Sequence, residues 1–263
     1  MRLLVLLFLV LLVPAANALE LQGQMTQGGL IRGKTEPHAV VMLDGRALRV
    51  SPDGDFIFGF NRDAAAQATL TVRLPNGTVT QKVLAVAPRE YAIQRIDGLP
   101  SKMVTPPADV LARIRAENAQ IAAVRERDRD AALFLGDWIR PAEGPVTGVY
   151  GSQRILNGKP RQPHYGIDYA GPVGTPVVAP AAGVVVLAED DLYYTGGTLI
   201  LDHGHGLTSA FLHMSRVDAK LGETVARGQR IGAIGATGRA TGPHLDWRIN
   251  WFDRRIDPAL LLP

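Results

Sequence analysis

The sequence predicts a mainly β chain: a small amino-terminal β-sandwich, a connecting helix and a carboxy-terminal β-rich unit. Three observations predict it. Short alternating apolar and polar runs, spaced by Asp-Gly, Asn-Gly and Gly-Gly dipeptides, recur in both halves. A single intervening stretch carries apolar residues at helical spacing instead. No cysteine occurs in 263 residues, so such a fold must be held by burial or by metal rather than by cross-links.

Residues 1–18 read as a signal peptide. Arg2 gives a basic start, residues 3–13 are an apolar run, and Ala16-Asn17-Ala18 is a small-x-small cleavage site. The run is too short to span a bilayer comfortably, and no other stretch is apolar enough, so no transmembrane segment is expected after cleavage. The missing cysteines also exclude a lipid-modified cysteine and a cysteine-type zinc site. An exported protein, periplasmic or secreted, is expected.

Without Arg2, 27 of the 28 basic residues face 25 acidic ones, a net of +2, and the sequence pI is near 9.3. This mild balance is compatible with an anionic polymer. It lacks the clustered Lys and Arg of a nucleic-acid binder, so no nucleic-acid partner is expected.

Residues 19–87 predict the sandwich, Ig-like in size, with about seven strands. Runs at 39–43, 56–60 and 70–74 alternate, and Asp44-Gly45, Asp53-Gly54 and Asn76-Gly77 supply hairpin turns. The Asp53-Gly54-Asp55 cluster has no Glu closing a calcium loop and reads as a turn. His38, beside Pro37, reads as a surface residue.

Residues 88–143 read as linker and helix. Thr105 is placed to cap the helix, Pro106 suits its first turn and Asp109 complements its dipole. Val110, Ile114, Ile121 and Val124 form one stripe, read as packing. The run Arg125-Glu126-Arg127-Asp128-Arg129-Asp130 reads as a solvated face.

Residues 144–263 predict the second β unit. Strands are expected at 176–178, 183–188, 198–202, 207–213 and 230–234, with a hairpin at Gly196-Gly197. Five of the six histidines lie between His164 and His244. In an extended strand His164 and Asp168 would project to one side across Gly166, and His244 and Asp246 would do the same on another. Imidazoles and carboxylates converging from two strands suit zinc. Ser152 and Ser209 have no evident triad partners, which argues against a serine hydrolase.

Several separated segments carry a resemblance. They are Pro163-His164-Tyr165-Gly166-Ile167-Asp168, Gly174-Thr175-Pro176, Asp202-His203-Gly204, Phe211-Leu212-His213, Gly235-Ala236-Thr237-Gly238 and Thr241-Gly242-Pro243-His244-Leu245. Over about residues 145–260 the chain resembles the lysostaphin-type (LytM-like) zinc endopeptidases, which cut peptide cross-bridges in peptidoglycan. The resemblance implies a lysostaphin-type peptidase domain, about one Zn²⁺ per chain, and peptidoglycan stem peptides as substrate. It implies that His164 and Asp168 are metal ligands and that His213 and His244 are catalytic. The family ends this motif with His-x-His, whose second member is the third ligand; here that position is Asp246.

Three readings of the departure stay open. Asp246 is itself a ligand, since aspartate oxygen binds zinc at much the distance of imidazole nitrogen. Its extra negative charge would then make bound water less acidic and the activity optimum more alkaline. Alternatively the site is degenerate, and the domain binds the wall and activates a cell-wall amidase. Or His205 of His203-Gly204-His205 rescues the site, although two glycines place that motif at a turn.

Overall fold

The computed structural model describes residues 19–96, 110–156 and 158–263. The leader read at 1–18, and Thr105, Pro106 and Asp109, lie outside them. Among the described residues no helix is long and apolar enough to cross a membrane.

The amino-terminal half holds seven strands: β1 Glu20–Gln22, β2 Leu30–Lys34, β3 Val40–Leu43, β4 Arg46–Leu48, β5 Asp55–Gly59, β6 Gln67–Arg73 and β7 Val79–Ala85. They form two sheets, ordered β1-β2-β5 and β4-β3-β6-β7. In β6 the alternation is clean, with Ala68, Leu70 and Val72 buried between partly or fully exposed neighbours. Asp44 and Gly45 both have positive φ, at 49° and 82°, and Leu43 pairs with Arg46 across them. That is the two-residue turn whose twist matches antiparallel strands.

The connecting segment is more structured than a linker. Strand β8, Ile93–Ile96, runs parallel to a later strand, Gln153–Leu156, which supplies its hydrogen-bond partners. Helix α1 spans Leu111–Arg125. Ile114 and Val124 are buried and Ile121 is partly buried. Val124 and Ile121 pack with Val186, Leu187, Leu192, Ile200, Ala210 and Leu212, so this part of the predicted stripe is a packing face. The following charged run is not a free solvated face. Arg129 pairs with buried Asp202 at 3.1 Å, Arg49 holds Asp128 at 2.7 Å, and His205 bonds the carbonyls of Arg129 and Asp130. The run is strapped along the 202–206 turn. Phe134 and Trp138 then enter the core.

The carboxy-terminal half contains β9 Val146–Gly148, β10 Gln153–Leu156, β11 Lys159–Pro160, β12 Gly166–Ala170, β13 Pro176–Val178, β14 Gly183–Leu192, β15 Gly196–Gly204 and β16 Leu207–Met214. It continues with β17 Arg216–Val217, β18 Thr224–Val225, β19 Arg230–Ala233, β20 His244–Trp251 and β21 Arg254–Ile256. The main sheet runs β18-β14-β15-β16-β20-β12-β9, with β21 added to β20. Strands β13, β19 and β17 form a smaller sheet. The molecule is mainly β with a single described α-helix, as predicted.

The β14–β15 turn is at residues 193–195, not at Gly196-Gly197: Leu192 already pairs with Gly196. Gly196 is needed for another reason. A side chain there would collide with Thr237 and Gly238, which cross close beside it.

The main sheet has two different faces. Leu245, Trp247, Ile249 and Trp251 alternate into the core, beside Ile167, Tyr169, Phe211 and Trp138. Burying one such side chain is worth about 1.5–3 kcal/mol. The other face carries His244, Asp246, Arg248 and Asn250, flanked in register by Asp168, Ala210 and Leu212. Helix α1 covers the far end of that same face. Buried residues of both halves belong to one contiguous core, and Ile256 packs against Gly59.

Candidate metal centre

Strands β12 and β20 are antiparallel neighbours, and their register sets Asp168 directly opposite Asp246. Opposed like charges destabilise a strand pair unless something positive lies between them. His164 precedes β12 in a loop fixed by two backbone bonds: its N–H donates to the Ser152 carbonyl and its carbonyl accepts from Gly151, both at 2.8 Å. Gly151 is held from the amino-terminal half, where buried Arg62 donates from Nε to its carbonyl at 2.9 Å.

His164, Asp168 and Asp246 each present a ligand atom within 4.8 Å of the others. His164 Nε2 faces Asp168 Oδ1 at 3.1 Å, yet both are buried atoms without a hydrogen-bond partner among the described residues. Glycines make the room. A Cβ on Gly166 would stand 2.5 Å from Asp246 Oδ1, and one on Gly148 would collide with Asp168 Oδ2. A nitrogen and two carboxylates, two of the three with an unmet buried atom, are a donor set that a divalent cation would complete. The residues present therefore fit a metal.

Asp246 is 2% exposed. Arg248, one pleat along on the same face, donates from Nε to both its oxygens, at 2.9 and 3.0 Å, and from Nη2 to Oδ2 at 2.5 Å. Burial alone would raise the Asp246 pKa. The charge and hydrogen bonds of Arg248, with His164 and His213 nearby, hold it below the usual carboxylate range instead. For His164, burial opposes protonation, but contact with Asp168 and the charge of Asp246 prevail and raise its pKa.

His213 sits where β16 loses register against β15, between the pairs Leu199–Phe211 and Gly197–Met214. Its φ is 64°. Such a bulge re-aims a side chain out of strand alternation. Its Nδ1 lies 2.9 Å from the Thr237 carbonyl, and His244 Nδ1 lies 2.8 Å from the Gly242 carbonyl. A carbonyl can only accept, so both rings carry their proton on Nδ1 and leave Nε2 free to accept when neutral. The ring centroids are 4.8 Å apart. Burial lowers the His213 pKa, against the opposing Thr237 carbonyl, and favours this neutral form.

The two other clustered histidines lie elsewhere. His203 is fully buried: Nδ1 meets the Ala182 carbonyl at 2.6 Å and Nε2 meets Ser209 Oγ at 2.7 Å. Burial pushes its pKa down to about 4. Ser209 thus does have a histidine partner, unlike the sequence expectation, but the pair is sealed in the interior and Ala182 takes the place of a triad acid. His205 has φ 51° and bonds the 128–131 strap, away from the three ligand atoms.

Sequence reasoning missed Arg248, although His244, Asp246, Arg248 and Asn250 alternate visibly with Leu245, Trp247, Ile249 and Trp251. It also missed the positioning role of Thr237, for which no local signal exists.

Residues 162–258 match the profile of Peptidase family M23. The peptidoglycan DD-endopeptidase ShyA of Vibrio cholerae is 45% identical over 87 residues, 33% of this chain and 20% of the relative. A lipoprotein NlpD/LppB homolog of Pseudomonas aeruginosa is 34% identical over 133 residues, 51% of this chain and 42% of the relative. The chain thus spans a fifth of the former and under half of the latter. A crystal structure from Pseudomonas aeruginosa, described as a candidate M23 peptidase, is 29% identical with a TM-score of 0.71. That similarity covers 91% of this chain and 95% of the other, the amino-terminal half included.

Proposed function

We propose, from the match of residues 162–258 to Peptidase family M23, that the chain is a zinc endopeptidase of the bacterial envelope. Its substrates on this reading are peptide cross-links of peptidoglycan, and its location is the periplasm or the exterior. His164, Asp168 and Asp246 would hold the metal. The observation that carries the reading is the convergence of His164 Nε2 and Asp168 Oδ1, both buried and unsatisfied, on Asp246.

When bound, the metal would supply Lewis-acid polarisation of the scissile carbonyl and acidify a water. The remaining work falls to the chain's own groups. His213 Nε2, neutral and unprotonated, accepts the proton of the attacking water. His213, protonated on Nε2 by that transfer, returns the same proton to the leaving amine, and His244, its ring 4.8 Å from that of His213, donates to the oxyanion from Nε2 in its doubly protonated form. Positioned proton transfer of this kind is worth about 10²–10⁴-fold. Arg248 neutralises Asp246, so the pair presents the metal with the net charge of one neutral imidazole. This removes the physical reason for the alkaline optimum expected from an uncompensated carboxylate.

One observation favours the second reading, a degenerate module that activates an amidase: both Asp246 oxygens are already engaged by Arg248. Oδ1 accepts from Nε alone and keeps a further lone pair, so this engagement does not exhaust the ligand. Metal analysis with digestion of purified sacculi separates the two. The expected result is about one zinc per chain and release of un-cross-linked muropeptides, with zinc lost in Asp246→Ala and kept in Asp246→His. Metal-free wild-type protein that stimulates an amidase would overturn the peptidase reading.

A further inference from the structure

Two cations beside the candidate metal centre have no counter-ion among the described residues. Arg255 on β21 stands opposite Asn250 of β20 and donates from Nη1 to its Oδ1 at 3.1 Å. Its guanidinium carbon lies 5.4 Å from the Tyr165 ring centroid. Arg125, the last residue of α1, follows Val124, which packs in the cluster containing Ala210 and Leu212. Those two are the strand partners of Arg248 and Asp246. Arg125 Nε is buried and, among the described residues, has no hydrogen-bond partner.

The charges do not balance. Asp246 is taken up by Arg248, and neither Arg125 nor Arg255 makes an ion pair among the described residues. The three guanidiniums nonetheless feel one another. Burial and the charges of Arg255 and Arg248 push the Arg125 pKa down to about 9, and burial and Arg248 lower that of Arg255. Each of the three retains some exposed surface, so a ligand can reach them. Buried cations without anions are costly to keep. A planar guanidinium with an unused donor is suited to a carboxylate, which accepts two parallel N–H bonds.

We infer that Arg125 and Arg255, on either side of Arg248, form a subsite that binds a free carboxylate of the peptide substrate next to the scissile bond. The inference rests on the peptidase reading above, since stem peptides carry free carboxylates at their chain ends and acidic residues. It gives α1 a part in the substrate site, and it makes amidation of the peptide a determinant of recognition.

The test uses the full zinc-loaded chain and two synthetic stem peptides of equal length, one with free carboxylates and one carboxamidated. Binding is followed through the arginine Nε–H resonances. The wild type is expected to bind the acid about tenfold more tightly than the amide, the scale of one charge-assisted hydrogen bond. The Arg125 and Arg255 resonances should shift with the acid alone. Arg125→Gln and Arg255→Gln should each reduce the preference to about twofold or less. Arg125→Met, which keeps the buried stem and removes the charge, should lose the preference while melting at a higher temperature, so loss of recognition is separated from misfolding. Equal affinity of wild type for acid and amide, or a preference that survives both glutamine variants, overturns the subsite. Inorganic phosphate competing as well as the peptide assigns the cations to a free anion and overturns the peptide assignment. Hydrolysis of a cross-linked peptide is scored separately. Cleavage without an acid preference removes the subsite alone, and acid preference without cleavage removes the peptidase reading alone.

Discussion

Asp246 lies directly opposite Asp168 across the β12–β20 pair, and the charge of Asp246 is already met by Arg248 on its own strand. One carboxylate of the facing pair is compensated by Arg248, and the other has a buried oxygen that faces only His164 Nε2 at 3.1 Å and, among the described residues, has no hydrogen-bond partner. Several consequences can be measured.

Arg248→Gln strands a buried carboxylate beside Asp168. Breaking such a pair costs about 3–5 kcal/mol, and the low end applies because Arg248 is partly exposed. Urea unfolding of the metal-free variant should show this loss. Added zinc should recover part of it, because the cation supplies the charge that Arg248 no longer does.

His203 makes stability depend on pH. Its imidazole titrates near 4 when folded and near about 6.5 when unfolded. The unfolded chain therefore binds the extra proton across that window. Stability is complete above about pH 6.5 and falls as the pH drops toward about 4, by about 3 kcal/mol. Denaturation midpoints between pH 4.5 and 7 should follow this slope, and His203→Asn should flatten it while lowering the plateau.

His213→Ala removes a proton acceptor that is not a proposed ligand. Zinc content should stay at about one per chain while kcat falls by about 10²–10⁴-fold. A variant that loses its metal instead would show that His213 belongs to the coordination set.

Gly166→Ala places a methyl group against Asp246 Oδ1 and the Trp247 carbonyl. Both are fixed in the sheet, so the ligand carboxylate must move. Zinc affinity should drop by at least about tenfold, within the range known for disturbing a ligand's support, with little change in secondary structure by circular dichroism.

Ile114→Ala in α1 should cost about 2 kcal/mol, the lower end for such truncations because the site is near the helix start. If α1 contributes Arg125 to substrate binding, KM for the carboxylate peptide should rise and KM for its amide should not.

Much of this was legible in the sequence, for reasons specific to strands. Side-chain period 2 put His244 and Asp246 on one face of β20, and the register set Asp246 opposite Asp168, whereas His164 reaches Asp168 from a loop before β12 rather than along a strand. The turns at Asp44-Gly45 and the stripe of Ile114, Ile121 and Val124 were readable for the same local reasons. What was hidden depends on distant chain crossing. Gly196 looked like a turn residue but is small because Thr237 passes over it. Arg125 looked solvated because its neighbours in sequence are charged, yet its neighbours in space are Arg248 and Arg255. His213 looked like a strand residue, and only its bulge explains its aim.

Strand β8 borders β10, and Arg62 grips Gly151, which in turn holds the backbone of His164. A proteolytic cut or a shortened gene product starting after residue 96 would therefore strip support from the first ligand while sparing the whole matched profile. Residue 162, where the match to the family profile begins, therefore lies inside the stretch of chain whose backbone contacts fix His164.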